Sequence, residues 1–213
     1  MDTLSGGRIY TKNVIKFSNK LYDAEKFAEY VSTTKDFREI ESGRFLSDGE
    51  MNNLSEFVND ESIKEILLNY ELYPKHTKPT CIVASEYFQE KAELIVTQLL
   101  TSCELETLTT SQELQEQFNV LWVKLVDSLI GCLNHNPLSV VNLTVKLRSI
   151  ILEAYNACSD ENSALYIHEE TYLQPILVST FALFTLFCTG LMKYDSQEQF
   201  VNAAYILKPG VIP

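Results

Sequence analysis

Residues 171–192 carry no charged side chain and form the densest run of aliphatic and aromatic residues in the chain. Such a segment has to be shielded from water by the protein's own core, by a partner or by lipid. It is long enough to cross a bilayer, which takes about 20 mostly apolar residues. However, Gln174, Pro175 and several Ser and Thr residues interrupt it, and no cluster of Lys or Arg flanks it. We therefore expect a buried core or interface helix, with a membrane anchor through residues 172–192 as the alternative.

The charge and the cysteine content bear on partners and on location. The 213-residue chain has a formal net charge of −12, and an acidic surface repels phosphate, so we expect no direct nucleic-acid binding. Five widely spaced cysteines are typical of reduced thiols and not of a disulfide framework. The first residues lack the apolar run of a secretory signal. These features predict an intracellular protein, in the cytoplasm.

Helical periodicity dominates the remaining sequence. Four residue pairs have the spacing of a reciprocal N-terminal cap, in which a hydroxyl and an acid or amide satisfy exposed backbone donors. They are Ser47 with Glu50, Ser62 with Glu65, Thr110 with Glu113, and Ser196 with Gln199. Apolar residues recur three or four positions apart in several stretches, which predicts amphipathic helices. These stretches are 27–31, 54–58, 63–68, 85–103, 114–133, 138–158 and 196–207.

We therefore predict an all-α fold, either an irregular helical bundle or a short helical-repeat layer, with about seven to nine helices. Residues 1–72 form a charged, helical N-terminal part that begins with a basic arm at 1–20. Residues 73–84 contain two prolines and no periodicity, which predicts a linker with a short extended piece at 80–83. Residues 85–213 form the apolar helical bundle.

The basic arm contains the candidate partner-binding residues. Arg8, Lys12, Lys16 and Lys20 are spaced four apart, which would align them along one side of a helix. Such a stripe suits an acidic partner or an anionic surface. Like charges at this spacing disfavour an isolated helix. An arm that folds back onto the acidic region at 21–70 is the favoured alternative, because that region carries a net charge of −7 and lies next in sequence.

The sequence contains little that suits a metal or a catalytic site. Cys132 and His135 form one close pair, but Cys158 and His168 are ten residues apart, and structural zinc sites usually have two close pairs. We therefore predict no metal and no cofactor. Glycine-rich phosphate loops and the common nucleophile motifs are missing from the sequence. An enzyme would have to assemble its site in the fold, with His76, His135 and His168 as candidates for proton transfer.

Together these observations favour a non-catalytic α-helical interaction or scaffold module, a subunit of a larger intracellular assembly. Its partners are expected to be other proteins or further copies of the chain. The alternative, a membrane-associated protein, depends on residues 172–192 alone.

Overall fold

The structure, a computed structural model, describes residues 1–9, 12–104 and 111–136. These residues form one two-stranded sheet, five α-helices and one short 3₁₀ helix. In chain order the elements are β1 (Val14–Phe17), β2 (Lys20–Asp23), α1 (Ala24–Thr34), α2 (Asp48–Glu56), α3 (Glu61–Leu68), the 3₁₀ helix (Tyr70–Leu72), α4 (Thr80–Glu104) and α5 (Ser111–His135). The described chain is therefore a mixture of helices and a small sheet, and the predicted all-α bundle of seven to nine helices is wrong.

The sheet is a β-hairpin in the region predicted to be a basic arm. Val14 pairs with Asp23, and Phe17 pairs with Lys20, across the two antiparallel strands. Ile15 and Phe17 lie on one face of β1, and both are buried. In a helix these two side chains would point roughly 200° apart, so they could not be buried together. The need to bury both side chains therefore favours a strand over a helix.

The five α-helices correspond to predicted amphipathic stretches, although their starts differ in part. α2 begins with the predicted capping box, because Ser47 and Glu50 satisfy each other's backbone amides. α3 is capped by Asp60, whose carboxylate accepts a hydrogen bond from the Ser62 amide at 2.8 Å. The predicted cap at Ser62 is therefore wrong by two residues.

α4 begins earlier than the periodicity predicted. Its first residue is Thr80, so the extended piece predicted at 80–83 is wrong. The backbone amides of Ile82 and Val83 donate to the carbonyl of Pro79, at 3.0 and 3.2 Å. Proline suits this position because the first residues of a helix need no amide donor to an earlier carbonyl.

The helices predicted at 138–158, 171–192 and 196–207 lie outside the described residues, as does the alternative of an anchor at 172–192. Both interpretations of the uncharged stretch therefore stay predictions. None of the helices within 1–9, 12–104 and 111–136 combines the length and the apolar character that a membrane span requires.

The chain divides into two compact units. The first contains Met1–Glu90 together with Ile130–Pro137, and the second contains Lys91–Leu129 and the residues from 138 onward. α4 and α5 each contribute residues to both units. All the contacts that define the candidate site lie within the first unit.

A continuous series of aromatic rings forms much of the core of the first unit. Neighbouring rings have their centroids between 4.8 and 6.0 Å apart, in tilted or edge-on geometry. The series consists of Phe17, Tyr22, Phe27, Tyr30, Tyr87 and Phe88. Such pairs contribute about 0.5–1.5 kcal/mol each beyond their buried area. The rings therefore join the hairpin, α1 and the start of α4 into one packed unit.

The last turn of α5 packs against the N-terminal segment. His135 stacks on the ring of Phe88 with the centroids 5.9 Å apart, and its Nε2 donates to the carbonyl of Leu4 at 2.5 Å. The side chain of Asn134 donates to the carbonyl of Thr3 at 3.2 Å. Leu4 is buried. Contacts between the two ends of the described chain therefore complete the first unit.

One hydroxyl in this core is unsatisfied. Tyr30 is fully buried, and its hydroxyl has no hydrogen-bond partner within the described part of the chain. Asp36 and Thr34 are close enough to influence its pKa, which burial raises. Neither forms a hydrogen bond with this hydroxyl: Asp36 pairs with Arg38 at 2.6 Å, and the hydroxyl of Thr34 donates to the carbonyl of Tyr30 at 2.8 Å.

Tyr30→Phe is expected to leave the free energy of unfolding unchanged or to raise it by up to about 1 kcal/mol, because it removes a buried hydroxyl that lacks a partner. Tyr22→Phe is the matched control, since the equally buried Tyr22 hydroxyl donates to Glu39. That variant should lower the free energy of unfolding by about 1–2 kcal/mol. Urea denaturation measures the free energy of unfolding of both variants. An equal decrease in the two would show that the Tyr30 hydroxyl is bonded as well as that of Tyr22.

Candidate functional site

The first unit contains a cavity of about 320 Å³, between the end of α1, the loop that joins α1 to α2, and residues 70–76. We call it the aromatic pocket. Its rings and cations are Phe37, Phe45, Tyr70, Tyr73, Lys35 and Lys75, and its lining is completed by Glu71, Pro74 and His76. Its volume is at the lower end of the range for ligand sites, which suits one bulky side chain better than a large cofactor.

A tight loop after α1 supplies two of the four rings. The amide of Leu46 donates to the carbonyl of Phe37 at 3.0 Å, and the amide of Glu39 donates to the carbonyl of Arg44 at 2.7 Å. Gly43 takes a positive φ of 64° at the tip of this loop, a conformation that glycine adopts without strain. The loop therefore folds back on itself and places Phe45 beside Phe37 on the wall of the pocket.

The end of α1 supplies the cation Lys35. Lys35 has a positive φ of 58°, and its amide donates to the carbonyl of Val31 at 2.9 Å. Its ammonium donates to the carbonyl of Ser32. His76 reaches the same helix end, where its Nε2 donates to the carbonyl of Thr34 at 2.7 Å. Cations and N–H donors suit this position because the last carbonyls of a helix have no partner within it.

Residues 70–76 close the pocket. The rings of Tyr70 and Tyr73 each lie with their centroids 5.8 Å from that of Phe37, which is buried. The hydroxyl of Tyr70 donates to the carboxylate of Asp48 at the start of α2. The rings of Phe37, Tyr70 and Tyr73 therefore form the floor of the pocket.

Each of the two lysines lies over one of the rings. The Nζ of Lys35 is 5.0 Å from the centroid of Tyr73, and the Nζ of Lys75 is 5.1 Å from the centroid of Phe45. These distances are within the range of a cation–π contact, which contributes about 0.5–1 kcal/mol at an exposed site. The rings therefore hold two positive charges in place beside the cavity.

An ion pair supports the loop next to Phe45. The guanidinium of Arg44 donates two hydrogen bonds to the carboxylate of Glu50, at 2.8 and 2.9 Å. These bonds, together with those from Ser47, lower the pKa of Glu50 to about 2, although burial acts in the opposite direction. Ser47 is the N-cap of α2, and its amide also donates to Glu50. The carboxylate of Glu50 therefore connects the pocket loop to the start of α2.

Glu50→Gln is expected to lower the free energy of unfolding by about 1 kcal/mol near neutral pH, because it removes the charge that pairs with Arg44 while glutamine can still close the capping box. The pKa of Glu50 is lower in the folded chain than its ordinary 4.5, so its stabilising effect is complete above pH 4.5. The difference between wild type and variant should shrink as the pH falls from 4.5 toward 2. Urea denaturation at several pH values measures it, with the exposed Glu61→Gln as control. A difference that does not change with pH would contradict the prediction.

The four basic residues predicted to form a stripe do not share a helix. Lys16 lies in β1 and Lys20 in β2, where the alternation of side chains places them on opposite faces of the hairpin. Lys20 forms an ion pair with Glu41 at 2.7 Å, a contact of the kind that folding back onto the acidic region predicts. Arg8 and Lys12 are exposed ahead of β1. The single stripe is therefore wrong, while partner binding by these residues stays a prediction.

The residues considered for metal binding and proton transfer have separate surroundings. Cys132 is buried in α5, and burial raises the pKa of its thiol to about 12. Burial lowers the pKa of His135, although the carbonyl of Leu4 opposes this shift. Cys158 and His168 lie outside the described residues. No group of His, Cys, Asp or Glu that could hold a metal ion is present in the part of the chain that the structure describes.

Apart from His76, a candidate for proton transfer, the pocket residues are not predicted from the sequence. Residues 73–76 were assigned to a linker because they have no periodicity, yet Tyr73, Lys75 and His76 line the cavity. Aromatic and basic residues concentrated around two prolines are the signal that could have identified this segment. Phe37 and Phe45 carry no comparable signal, since only the folded loop brings them together.

No family model matches the chain, and no curated protein or solved structure matches it either. The role of the aromatic pocket therefore has to be inferred from its own geometry and charge.

Proposed function

We propose that the chain is a non-catalytic interaction module, a subunit of an intracellular assembly, and that the aromatic pocket is the docking site for a segment of a partner protein. The observation that carries this proposal is the ring of Phe45, which is 43 % exposed on the wall of a cavity lined by three further rings. Aromatic side chains are enriched in the cores of protein interfaces and provide much of their binding energy.

The surface next to the pocket also favours docking. Leu72 lies in the chain between Tyr70 and Tyr73, and its side chain is 81 % exposed. Leu68, one turn earlier at the end of α3, is 55 % exposed. Single exposed leucines are common, but apolar side chains next to an aromatic cavity are typical of a surface that a partner covers.

The polar groups of the pocket favour binding over catalysis. The Lys35 ammonium and the His76 ring each donate to a carbonyl at the end of α1, and the hydroxyl of Tyr70 donates to Asp48. These hydrogen bonds hold the pocket together, which supports a binding role. Cys81 and Cys132 are free thiols, which supports a location in a reducing compartment.

Selection of a random peptide library displayed on phage against the purified full-length chain tests the proposal. The enriched peptides are expected to bind Phe45→Ala at least about tenfold more weakly than wild type, which is the loss typical of a central interface residue. Leu21→Ala is the matched control, because Leu21 is also 43 % exposed but lies on the hairpin. Peptides that bind both variants and wild type equally would contradict a docking role for the pocket.

A further inference from the structure

The charge around the aromatic pocket is opposite in sign to that of the chain as a whole. Its lining contains Lys35, Lys75 and one acidic residue, Glu71, which gives a net charge of +1 with His76 neutral. The chain carries −12. A locally positive concavity attracts anionic groups, whereas the net charge of −12 on each chain opposes the approach of a second copy.

The two lysines of the pocket differ in their partners from five other cations of the first unit. Lys20, Arg38, Arg44, Lys64 and Lys78 each form an ion pair with a carboxylate of the chain. Lys35 and Lys75 lie over aromatic rings instead, and within the described residues neither is paired with a carboxylate. Neither charge is therefore neutralised by a carboxylate, although the ammonium of Lys35 also donates to the carbonyl of Ser32.

The rest of the lining determines which anion fits. The floor consists of the rings of Phe37, Tyr70 and Tyr73, which favour an apolar or aromatic body. A small free anion would leave most of the cavity of about 320 Å³ unfilled. Glu71 opposes a doubly charged group such as phosphate more strongly than a singly charged carboxylate. The lining therefore suits a bulky apolar side chain next to a single negative charge.

We propose that the occupant of the aromatic pocket is an acidic peptide segment of a partner protein, in which an aromatic or leucine side chain enters the cavity and an adjacent Asp or Glu carboxylate pairs with Lys75. This inference rests on the proposed docking function and adds the chemical class of the partner. Lys35 contributes a second positive charge next to the ring of Tyr73.

The peptides enriched in the phage selection provide the probe. They are expected to contain Asp or Glu within two positions of an aromatic or leucine residue. Each is then synthesised with a fluorescent label, both as selected and with every Asp and Glu replaced by Asn and Gln. We call the peptide with Asn and Gln the amide peptide. In fluorescence anisotropy, its affinity for the full-length chain should be about threefold to fivefold lower than that of the acidic peptide, which is the loss expected for one exposed ion pair.

Lys75→Gln identifies the cation. This substitution should lower the affinity for the acidic peptide by about the same factor and leave the affinity for the amide peptide unchanged. The reason is that Lys75→Gln and the amide replacement in the peptide remove the same ion pair. Lys64→Gln removes an equal charge from α3, outside the pocket, and should change neither affinity. Higher salt should lower the affinity for the acidic peptide more than the affinity for the amide peptide, because salt screens the ion pair. The midpoint of thermal unfolding is the folding control: the same midpoint for Lys75→Gln and wild type would show that the variant is folded.

The possible failures separate the two proposals. Peptides that require Phe45 but lack acidic residues, or that bind Lys75→Gln as well as wild type, would overturn the acidic partner and leave the docking function standing. Peptides that bind Phe45→Ala unchanged would overturn the docking function itself. Self-association in analytical ultracentrifugation that Phe45→Ala abolishes would identify a second copy of the chain as the occupant and overturn the acidic partner peptide.

Discussion

Replacing Glu39 with alanine is expected to lower the free energy of unfolding by about 3 kcal/mol, because it leaves a fully buried hydroxyl without its acceptor. The carboxylate of Glu39 is buried and accepts hydrogen bonds from the Tyr22 hydroxyl, from the Ser42 amide at 2.7 Å and from the Glu41 amide at 3.2 Å. The two amides belong to an exposed loop and can turn to water. The Tyr22 hydroxyl, which is 0 % exposed, cannot.

The negative charge of Glu39 adds to the expected loss of stability. Burial alone would raise its pKa, but the hydrogen bonds from Ser42, Tyr22 and Glu41 outweigh burial, so its pKa lies below the usual value. The group is therefore a carboxylate at neutral pH, and hydrogen bonds to a charged acceptor are stronger than neutral ones.

Urea denaturation followed by circular dichroism measures the loss. Glu41→Ala is the matched control in the same loop, because Glu41 is exposed and forms a surface ion pair with Lys20. It should lower the free energy of unfolding by less than about 1 kcal/mol. If the two alanine variants were equally stable, Glu39 would not be the acceptor that organises this loop.

Gly131→Ala is expected to lower the free energy of unfolding by about 2 kcal/mol, as overpacking of a core does. A Cβ built on Gly131 in α5 would lie 2.5 Å from Cδ1 of Phe88, too close for any real contact. The ring of Phe88 is buried between Tyr87 and His135, so it has little room to move. Alanine is a better helix former than glycine by about 1 kcal/mol, but this gain is smaller than the cost of the clash.

Gly49→Ala separates packing from helix propensity. Gly49 lies in α2, and no atom lies within 4 Å of a Cβ added there. This variant should be unchanged or up to about 1 kcal/mol more stable, since only propensity acts. Denaturation midpoints of the two variants give the comparison. A Gly131→Ala protein as stable as wild type would show that α4 and α5 do not approach each other at Phe88 as described.

Helices were the predictable part of the fold because their signals are local. The capping box at Ser47 and the apolar periodicity of α5 each depend on residues within a few turns of one another. The hairpin was missed because two signals competed over the same residues. The spacing of Lys12, Lys16 and Lys20 is that of a helix face, whereas the alternation of Ile15 and Phe17 is that of a strand. Because Ile15 and Phe17 are buried, their alternation determines that the segment is a strand.

The aromatic pocket could not be predicted because its residues meet only through tertiary contacts. Phe37 and Phe45 are brought together by a loop that depends on buried Glu39 and on the positive φ of Gly43. Tyr73 contacts Phe37 across more than thirty positions of sequence. No periodicity or spacing rule relates these positions, so the charge reversal at this site is visible only in the folded chain.

The hydrogen bonds from Asn134 and His135 to the main chain of residues 3 and 4 join positions about 130 apart in the sequence. On the ribosome, the first 90 residues therefore emerge long before the turn of α5 that covers Phe88 and Leu4 has been synthesised. A nascent chain halted at that stage would expose these apolar side chains to chaperones and proteases. Cutting the chain after Glu90 would therefore not yield the first unit as a separable domain.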